Sequence, residues 1–269
     1  MKVVILCGGQ GTRLREETEY RPKPMVEIGG RPILWHIMKH FAHHGLREFV
    51  LCLGYRGKMI KDYFLSYEAM NSDFTVCLGQ RNRIAYHGAH EEQDFQVTLA
   101  ETGLETMTGG RVKRVERYLD GETFMVTYGD GLSDLDIGRL LSFHHSHGRL
   151  ATVTAVQPFS RFGVLALDAQ SRVVDFAEKP QLSGWASAGF FVFNRKALNY
   201  LDADPQCVLE REPLERLARD GELLAYQHDG FFYAMDTYRE YLYLNDLWNR
   251  NAAPWAIWRG QHGAAGTES

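Results

Sequence analysis

The sequence predicts an α/β fold: a mostly parallel sheet with helices on both faces, continued by a smaller α+β portion. Three observations predict it. Apolar strand-like runs alternate with segments of helical periodicity through the first 150 residues. The first run, Lys2 to Cys7, passes directly into Gly8-Gly9-Gln10-Gly11, as a chain does when it leaves a parallel sheet at its carboxyl edge. From Thr152 onward, several apolar runs are separated mostly by turn-like segments, a pattern closer to α+β than to repeated βαβ units.

Each element has its own signal. Lys2 to Cys7 reads as the first strand. Ile33 to Ala42 reads as a helix, because Ile33, Leu34, Ile37, Met38 and Phe41 fall on one stripe. Glu48 to Leu53 is the next buried strand, and Lys58 to Tyr67, with Met59, Ile60, Tyr63 and Phe64, repeats the helical spacing. Phe74 to Leu78 and Phe95 to Ala100 are shorter strands, and the polar, histidine- and acid-containing Gln80 to Gln93 between them reads as a surface loop. Arg111 to Leu119 is helical, Phe124 to Tyr128 a strand and Ile137 to His145 a helix. Ala151 to Val156, Gly163 to Leu167, Val173 to Ala177 and Ala188 to Phe193 follow as strands. Lys196 to Leu201, Pro213 to Ala218 and Tyr238 to Arg250 read as helices, and the small, polar Gly260 to Ser269 as a frayed tail. No repeat or linker divides the chain, so residues 1–258 are expected to form one unit with halves at 1–150 and 151–258, and 259–269 a flexible end.

Composition narrows the function. With 45% hydrophobic and 24% charged residues over 269 positions, the chain matches globular proteins rather than disordered or fibrous ones. Thirty basic against 34 acidic side chains give −4, without the positive excess of a nucleic-acid binder. No apolar run approaches the roughly 18 residues of a membrane span, and the first strand is too short for a signal peptide, so a cytoplasmic protein without a membrane partner is expected. Cys7, Cys52, Cys77 and Cys207 lie far apart and three sit in apolar runs, which suggests buried, reduced thiols.

Five segments carry chemistry. In Gly8-Gly9-Gln10-Gly11-Thr12-Arg13-Leu14 the glycines let backbone amides approach phosphate, and Arg13 adds a guanidinium suited to bidentate phosphate contact. The segment is neither a P-loop nor a dinucleotide fingerprint, since Arg13 and Leu14 stand where a lysine or third glycine is required. Arg21-Pro22-Lys23-Pro24-Met25 stiffens the backbone on both sides of one lysine. Thr127-Tyr128-Gly129-Asp130-Gly131 places an aspartate at the end of a buried strand, as suits a Mg²⁺ ligand or a turn carboxylate. Glu178-Lys179-Pro180 and Met235-Asp236-Thr237 each put charge at the end of an apolar stretch.

In this order and at these separations the five segments resemble the sugar-1-phosphate nucleotidyltransferases, from Met1 to about Trp258. The chain most resembles their glucose-1-phosphate cytidylyltransferase branch. That likeness is carried by residues 26–38, by Met107-Thr108-Gly109-Gly110-Arg111, by Tyr128-Gly129-Asp130-Gly131 and by Ala253-Pro254-Trp255. The resemblance implies a Rossmann-like fold of the nucleotide-diphospho-sugar transferase type, its first half mainly nucleotide-binding and its second mainly sugar-binding. It implies in-line attack by a sugar-1-phosphate on the α-phosphorus of CTP, with Mg²⁺ as cofactor and a homo-oligomer, hexamer or smaller. Arg13, Lys23, Asp130 and Asp236 would be catalytic, the two aspartates holding the metal. Leu6, Gly8, Gly9, Gly11, Thr12, Arg13, Lys23, Thr106, Arg111, Gly129 and Asp130 would bind the nucleotide. Gly163, Glu178, Lys179, Ser187 and Gly189 would bind the sugar phosphate.

The uridylyl and thymidylyl relatives carry a Gln-Pro-x-Gly-Leu-like segment where this chain has residues 102–111, and a cytosine pocket needs an acceptor for the base's amino group, either a carbonyl or a hydroxyl. Two departures fall on the sugar side. The family's Asn-Gly-Gly-Phe-Phe is Ser187-Ala188-Gly189-Phe190-Phe191 here, and Tyr233-Ala234 replaces a Gln-Pro-like pair. A different sugar-1-phosphate and a catalytically silent CTP sensor are the alternatives. A nicotinamide oxidoreductase is disfavoured by the missing third glycine. His36, His40 and His44, and His144, His145 and His147, read as helix-surface and core-edge residues rather than zinc ligands, because neither group carries partners at metal spacing. Trp248, Trp255 and Trp258 read as packing or subunit-contact residues.

Overall fold

The computed structural model describes residues 1–12, 14–79, 83–160 and 162–259. Its centre is a seven-stranded sheet formed by β1 (Lys2–Leu6), β2 (Glu48–Leu53), β3 (Gln96–Glu101), β4 (Thr123–Tyr128), β5 (Ala151–Val156), β6 (Ala186–Asn194) and β7 (Leu223–Gln227). The order across the sheet is β7-β5-β6-β4-β1-β2-β3. Strands β1, β2, β3 and β4 pair in parallel, as do β5 and β7, whereas β6 runs antiparallel to both its neighbours. The result is a mostly parallel α/β sheet.

Alternation along β1 explains why both faces must be covered. Val3, Ile5 and Cys7 point into one apolar layer and Val4 and Leu6 into the other. The first layer is closed by α1 (Ile33–His43), α2 (Gly57–Leu65), α4 (Ile137–His147) and α6 (Tyr238–Asn249). The second is closed by α3 (Thr108–Arg114), α5 (Glu212–Arg219) and the 3₁₀ segment Arg195–Tyr200. Strands buried on both sides read as near-continuous runs of apolar, small and β-branched residues, and Glu48–Leu53 and Ala151–Val156 coincide with their sequence-predicted limits.

The structure corrects the sequence reading in several places. After residue 150, β5, β6 and β7 complete the central sheet, Val164–Leu167 pairs with Val173–Ala177 in a separate hairpin, and Phe232–Ala234 pairs with Gly131–Ser133. Within the expected loop Gln80 to Gln93, Ile84–His87 is a strand pairing with Asp73–Val76, because Phe74, Val76, Ile84 and Tyr86 alternate with small or polar residues. Gln80 itself lies outside the described residues, as does the expected tail Gly260 to Ser269. The helix expected from Arg111 begins at Thr108, ends at Arg114 and gives way to a 3₁₀ turn. The four cysteines are free, but Cys77 is exposed on the hairpin and Cys207 is half-buried, so only Cys7 and Cys52 are the core thiols expected.

His36 and His40 are not at a helix surface or core edge; both are buried on α1, His36 against the C-terminal tryptophans. His36 Nε2 donates to Ile28 O at 2.9 Å while its Nδ1 accepts the Trp255 indole N–H at 3.3 Å, and Trp255 is itself buried. His40 packs against Phe41 and Phe190. Burial lowers both imidazoles to about 4, with the neighbouring His44 adding to the effect at His40. Between pH 6.5 and 4 the unfolded chain therefore binds protons that the folded chain does not, so stability falls as pH drops through that window. Thermal melts should show each histidine removing up to about 2 kcal/mol by pH 5. His40→Phe should reduce the difference between pH 7 and pH 5 melts; an unchanged difference would remove His40 from the account.

Candidate active site

The carboxyl ends of β1 and β4 lie side by side because these strands are parallel neighbours, and both lead into glycine segments. Gly129 N donates to Leu6 O at 3.1 Å, Cys7 N to Cys52 O at 3.1 Å and Tyr55 N to Gly8 O at 3.1 Å, which fixes the first glycines to the ends of β2 and β4. Gly11 adopts φ +63, and a side chain there would also press on Thr18 and Lys23. Gly129 leaves room for the Pro24 ring and Leu6 O, so the Arg-Pro-Lys-Pro and Gly-Asp-Gly segments interlock.

That interlock sets Lys23. Pro22 caps a 3₁₀ turn, Lys23–Met25, from which the lysine reaches two carboxylates: Asp130 Oδ2 at 2.6 Å and Asp236 Oδ1 at 2.8 Å. The Lys23 side chain is 11% exposed, and the two aspartate side chains 27% and 22%. Burial alone would lower the lysine's pKa, but the charge and hydrogen bonds of Asp130 and Asp236 outweigh it and hold the ammonium more firmly than usual. Met235 N donates to Asp130 O at 2.9 Å, which brings the second carboxylate beside the first.

Lys23, Asp130 and Asp236 form one side of a cavity of about 380 Å³. Leu6, Gly8, Gly9, Gly11, Thr12, Thr106, Arg111 and Gly129 also line it, so every nucleotide-binding residue expected from the sequence is gathered here except Arg13, which lies outside the described residues. The sugar-side set is not brought into this cavity. Lys179 and Glu178 pair with each other at 3.1 Å on a largely exposed segment, with Gly163 beside Glu178. Ser187 is exposed on β6, its hydroxyl accepting Gly189 N at 3.3 Å. Gly189, at φ +75, lies against the Tyr128 ring, where any side chain would overlap the phenol. A larger cavity of about 600 Å³, between Trp35, Tyr63, Tyr67 and Phe95, contains none of these residues.

Arg111 lines the cavity, but its guanidinium is turned to the protein. It donates to Leu53 O, Thr102 Oγ1, Gly103 O, Gly8 O and Leu104 O at 2.7–3.1 Å while 4% exposed. Gly8 has no Cβ because one would overlap that guanidinium. The planar fork thus ties the glycine loop to the ends of β2 and β3. Asp130 and Asp236 suit a hard cation: Mg²⁺ commonly takes one or two carboxylates and fills its shell with water and substrate phosphate oxygens. No group of three or more metal-binding side chains occurs among the described residues.

The nucleotidyl transferase family model matches residues 2–236, which spans the glycine loop, Lys23, Asp130 and Asp236. The chain belongs to the nucleotidyl transferase family. Glucose-1-phosphate cytidylyltransferase of Salmonella typhi is 49% identical over 260 residues, covering 96% of this chain and all of that protein. A probable glucose-1-phosphate cytidylyltransferase of Bacillus subtilis is 43% identical over 258 residues, with the same coverage. Among solved structures, HddC from Yersinia pseudotuberculosis complexed with GMP-PN superimposes with a TM-score of 0.66 at 21% identity, over 92% of this chain and 99% of that one. UDP-glucose pyrophosphorylase complexed with UDP-glucose superimposes with a TM-score of 0.67 at 17% identity, over 93% and 98%. These last two likenesses establish the shared fold.

Several residues of this nucleotidyl transferase's cavity escaped the sequence reading. Glu240 Oε2 accepts Asp236 N at 2.6 Å and Thr237 N at 2.7 Å, closing a capping box that starts α6 and holds Asp236 in place. The signal was present as Thr237-x-x-Glu240. Tyr128 and Thr108 line the cavity, and each hydroxyl donates to Glu210; nothing local in the sequence marks that acid. The Arg111 network carries a stability prediction. Arg111→Leu leaves several carbonyls without their donor and should cost about 3 kcal/mol in denaturant unfolding, and Gly8→Ala should destabilise by displacing the same guanidinium. An unshifted midpoint for Arg111→Leu would show that water replaces the guanidinium at no cost.

Proposed function

We propose that this chain transfers the cytidylyl group of CTP to glucose-1-phosphate, releasing pyrophosphate and forming CDP-glucose. The observation that carries the reading is the 49% identity to the Salmonella typhi glucose-1-phosphate cytidylyltransferase along that protein's whole length. A phosphate oxygen of the sugar-1-phosphate attacks the α-phosphorus of CTP, and the bond from that phosphorus to the bridging oxygen breaks as pyrophosphate leaves. Such a transfer depends on positioning and charge neutralisation more than on covalent chemistry. The amides of the glycine loop receive the triphosphate, and Lys23, with Arg13, neutralises its oxygens and those of the attacking phosphate. Asp130 and Asp236 are the residues to hold Mg²⁺, which when bound withdraws charge from phosphate oxygens. Lys23 offsets one of the two carboxylate charges, so the ammonium and the metal answer the same negative charge. Glu178, Lys179, Gly163, Ser187 and Gly189 are assigned to the sugar-phosphate side.

The proposal extends to a single nucleotidyltransferase domain over residues 1–258 that acts as a cytoplasmic homo-oligomer in dideoxysugar and O-antigen synthesis. No helix among the described residues is long and apolar enough to cross a membrane. The deciding assay is Mg²⁺-dependent pyrophosphate release, crossing CTP, UTP, dTTP, ATP and GTP with a panel of sugar-1-phosphates. CTP with glucose-1-phosphate should be the fastest pair. Lys23→Ala, Asp130→Asn and Asp236→Asn should each lose on the order of 10²- to 10³-fold in kcat. Release with CTP and another sugar-1-phosphate would make Ser187 and Ala188 specificity determinants, and no release from any pair would sink the enzymatic reading in favour of CTP sensing.

A further inference from the structure

Two hydroxyls line the nucleotide cavity: Tyr128, the last residue of β4, and Thr108, the first of α3. Both donate hydrogen bonds to one carboxylate. Thr108 Oγ1 donates to Glu210 Oε2 at 2.6 Å, and Tyr128 OH donates to Glu210 Oε1. Glu210 comes from a segment 102 residues beyond Thr108 that is fastened to the start of α3. Met107 N donates to Pro205 O at 2.8 Å, Gly110 N to Cys207 O at 3.0 Å and Leu209 N to Thr108 Oγ1 at 2.9 Å. Gly109 permits that approach, since a Cβ there would press on Cys207 Sγ and on the backbone of residues 207–209.

Direction matters here. A hydroxyl has one proton and two lone pairs, whereas an ionised carboxylate accepts only. With its proton committed to Glu210, Tyr128 can offer the cavity nothing but a lone pair. Thr108 Oγ1, which also accepts Leu209 N, is left with one as well. The phenol does not ionise to escape this arrangement, because burial and then the Glu210 charge raise its pKa. Cytosine and uracil share a ring outline and differ at the exocyclic position, where cytosine carries an amino donor and uracil a carbonyl acceptor. Shape separates such isosteres poorly, and hydrogen-bond direction separates them well.

We propose that Glu210 is a positioning residue for base choice: by taking both hydroxyl protons it makes Tyr128 and Thr108 obligate acceptors for the cytosine amino group and opposes a uracil or thymine carbonyl. The proposal rests on the cytidylyl-transfer reading and assigns its base selectivity to three side chains.

The test is kcat/KM for CTP and for UTP with glucose-1-phosphate, together with direct calorimetric binding of each triphosphate in the absence of the sugar. The proteins are the wild type, Glu210→Ala, Glu210→Gln and Tyr128→Phe. Freed to rotate, the hydroxyls of Glu210→Ala should serve either base, and the CTP-over-UTP preference should fall about tenfold or more. Glu210→Gln accepts one proton and donates its own to the other hydroxyl, so it should fall between wild type and Glu210→Ala. Tyr128→Phe removes one acceptor while keeping the ring against Gly189, and carries the test if Glu210→Ala fails to fold. An unchanged preference in Glu210→Ala and Tyr128→Phe, or parallel losses for both triphosphates, would overturn the proposal and leave Glu210 a structural brace. A wild type with no preference for CTP would overturn the cytidylyl reading as well, and is distinguished because it is read before any substitution.

Discussion

The contact on which the cavity depends is the ammonium of Lys23, held 2.6 Å from Asp130 and 2.8 Å from Asp236. The three residues are 107 and 213 positions apart, so this ion cluster is what joins the start, the middle and the end of the matched region. Two part-buried carboxylates without a cation between them would repel each other, and each would seek water or a proton. The prolines on either side of Lys23 limit the freedom lost when its turn is fixed. The cluster carries one excess negative charge, which favours a divalent cation and disfavours a bare polyphosphate. A nucleotide entering with its metal meets the smaller electrostatic barrier.

Arg111 shows the opposite use of a buried charge. It is at least as enclosed as Lys23, yet it donates to carbonyls and a hydroxyl rather than to carboxylates. A compact ammonium concentrates its charge between two anions; a planar guanidinium spreads several N–H groups over acceptors that converge from different loops. Replacing either cation by the other would therefore fail for different reasons. The same comparison separates the residues that meet phosphate from those that shape the wall behind it.

The parts of the fold legible in the sequence are those whose signal is local and doubly buried. Glu48–Leu53 was readable as an apolar run, Ala151–Val156 as a run of small and β-branched residues, and α1 as a stripe. The insertion of β6 between β4 and β5 was not, because antiparallel pairing with strands distant in sequence leaves no periodic trace in the inserted strand itself. β7 was missed for a related reason: a short edge strand, Leu223–Gln227, follows directly on a turn and has only one neighbour to bury it. In the site, the residues that immediately follow strand ends were legible because the parallel sheet itself delivers them to one edge. Glu210 was not, since only the packing of residues 205–210 on α3 brings it to Tyr128. Arg111 was named from the sequence and lines the cavity, but the direction of its fork depends on carbonyls from three other segments.

Lys179 supplies the last step. It is one of four described non-glycine residues at positive φ, at +48, in an exposed stretch at the open end of the small hairpin. Its pair with Glu178 leaves the two side chains 45% and 61% exposed, and a surface pair of that kind contributes little to stability. A left-handed backbone at a lysine costs about 1 kcal/mol or more. Packing does not repay it, since the lysine and its paired acid both face solvent, and neither does the ion pair. The conformation instead sets the direction in which the lysine leaves the chain.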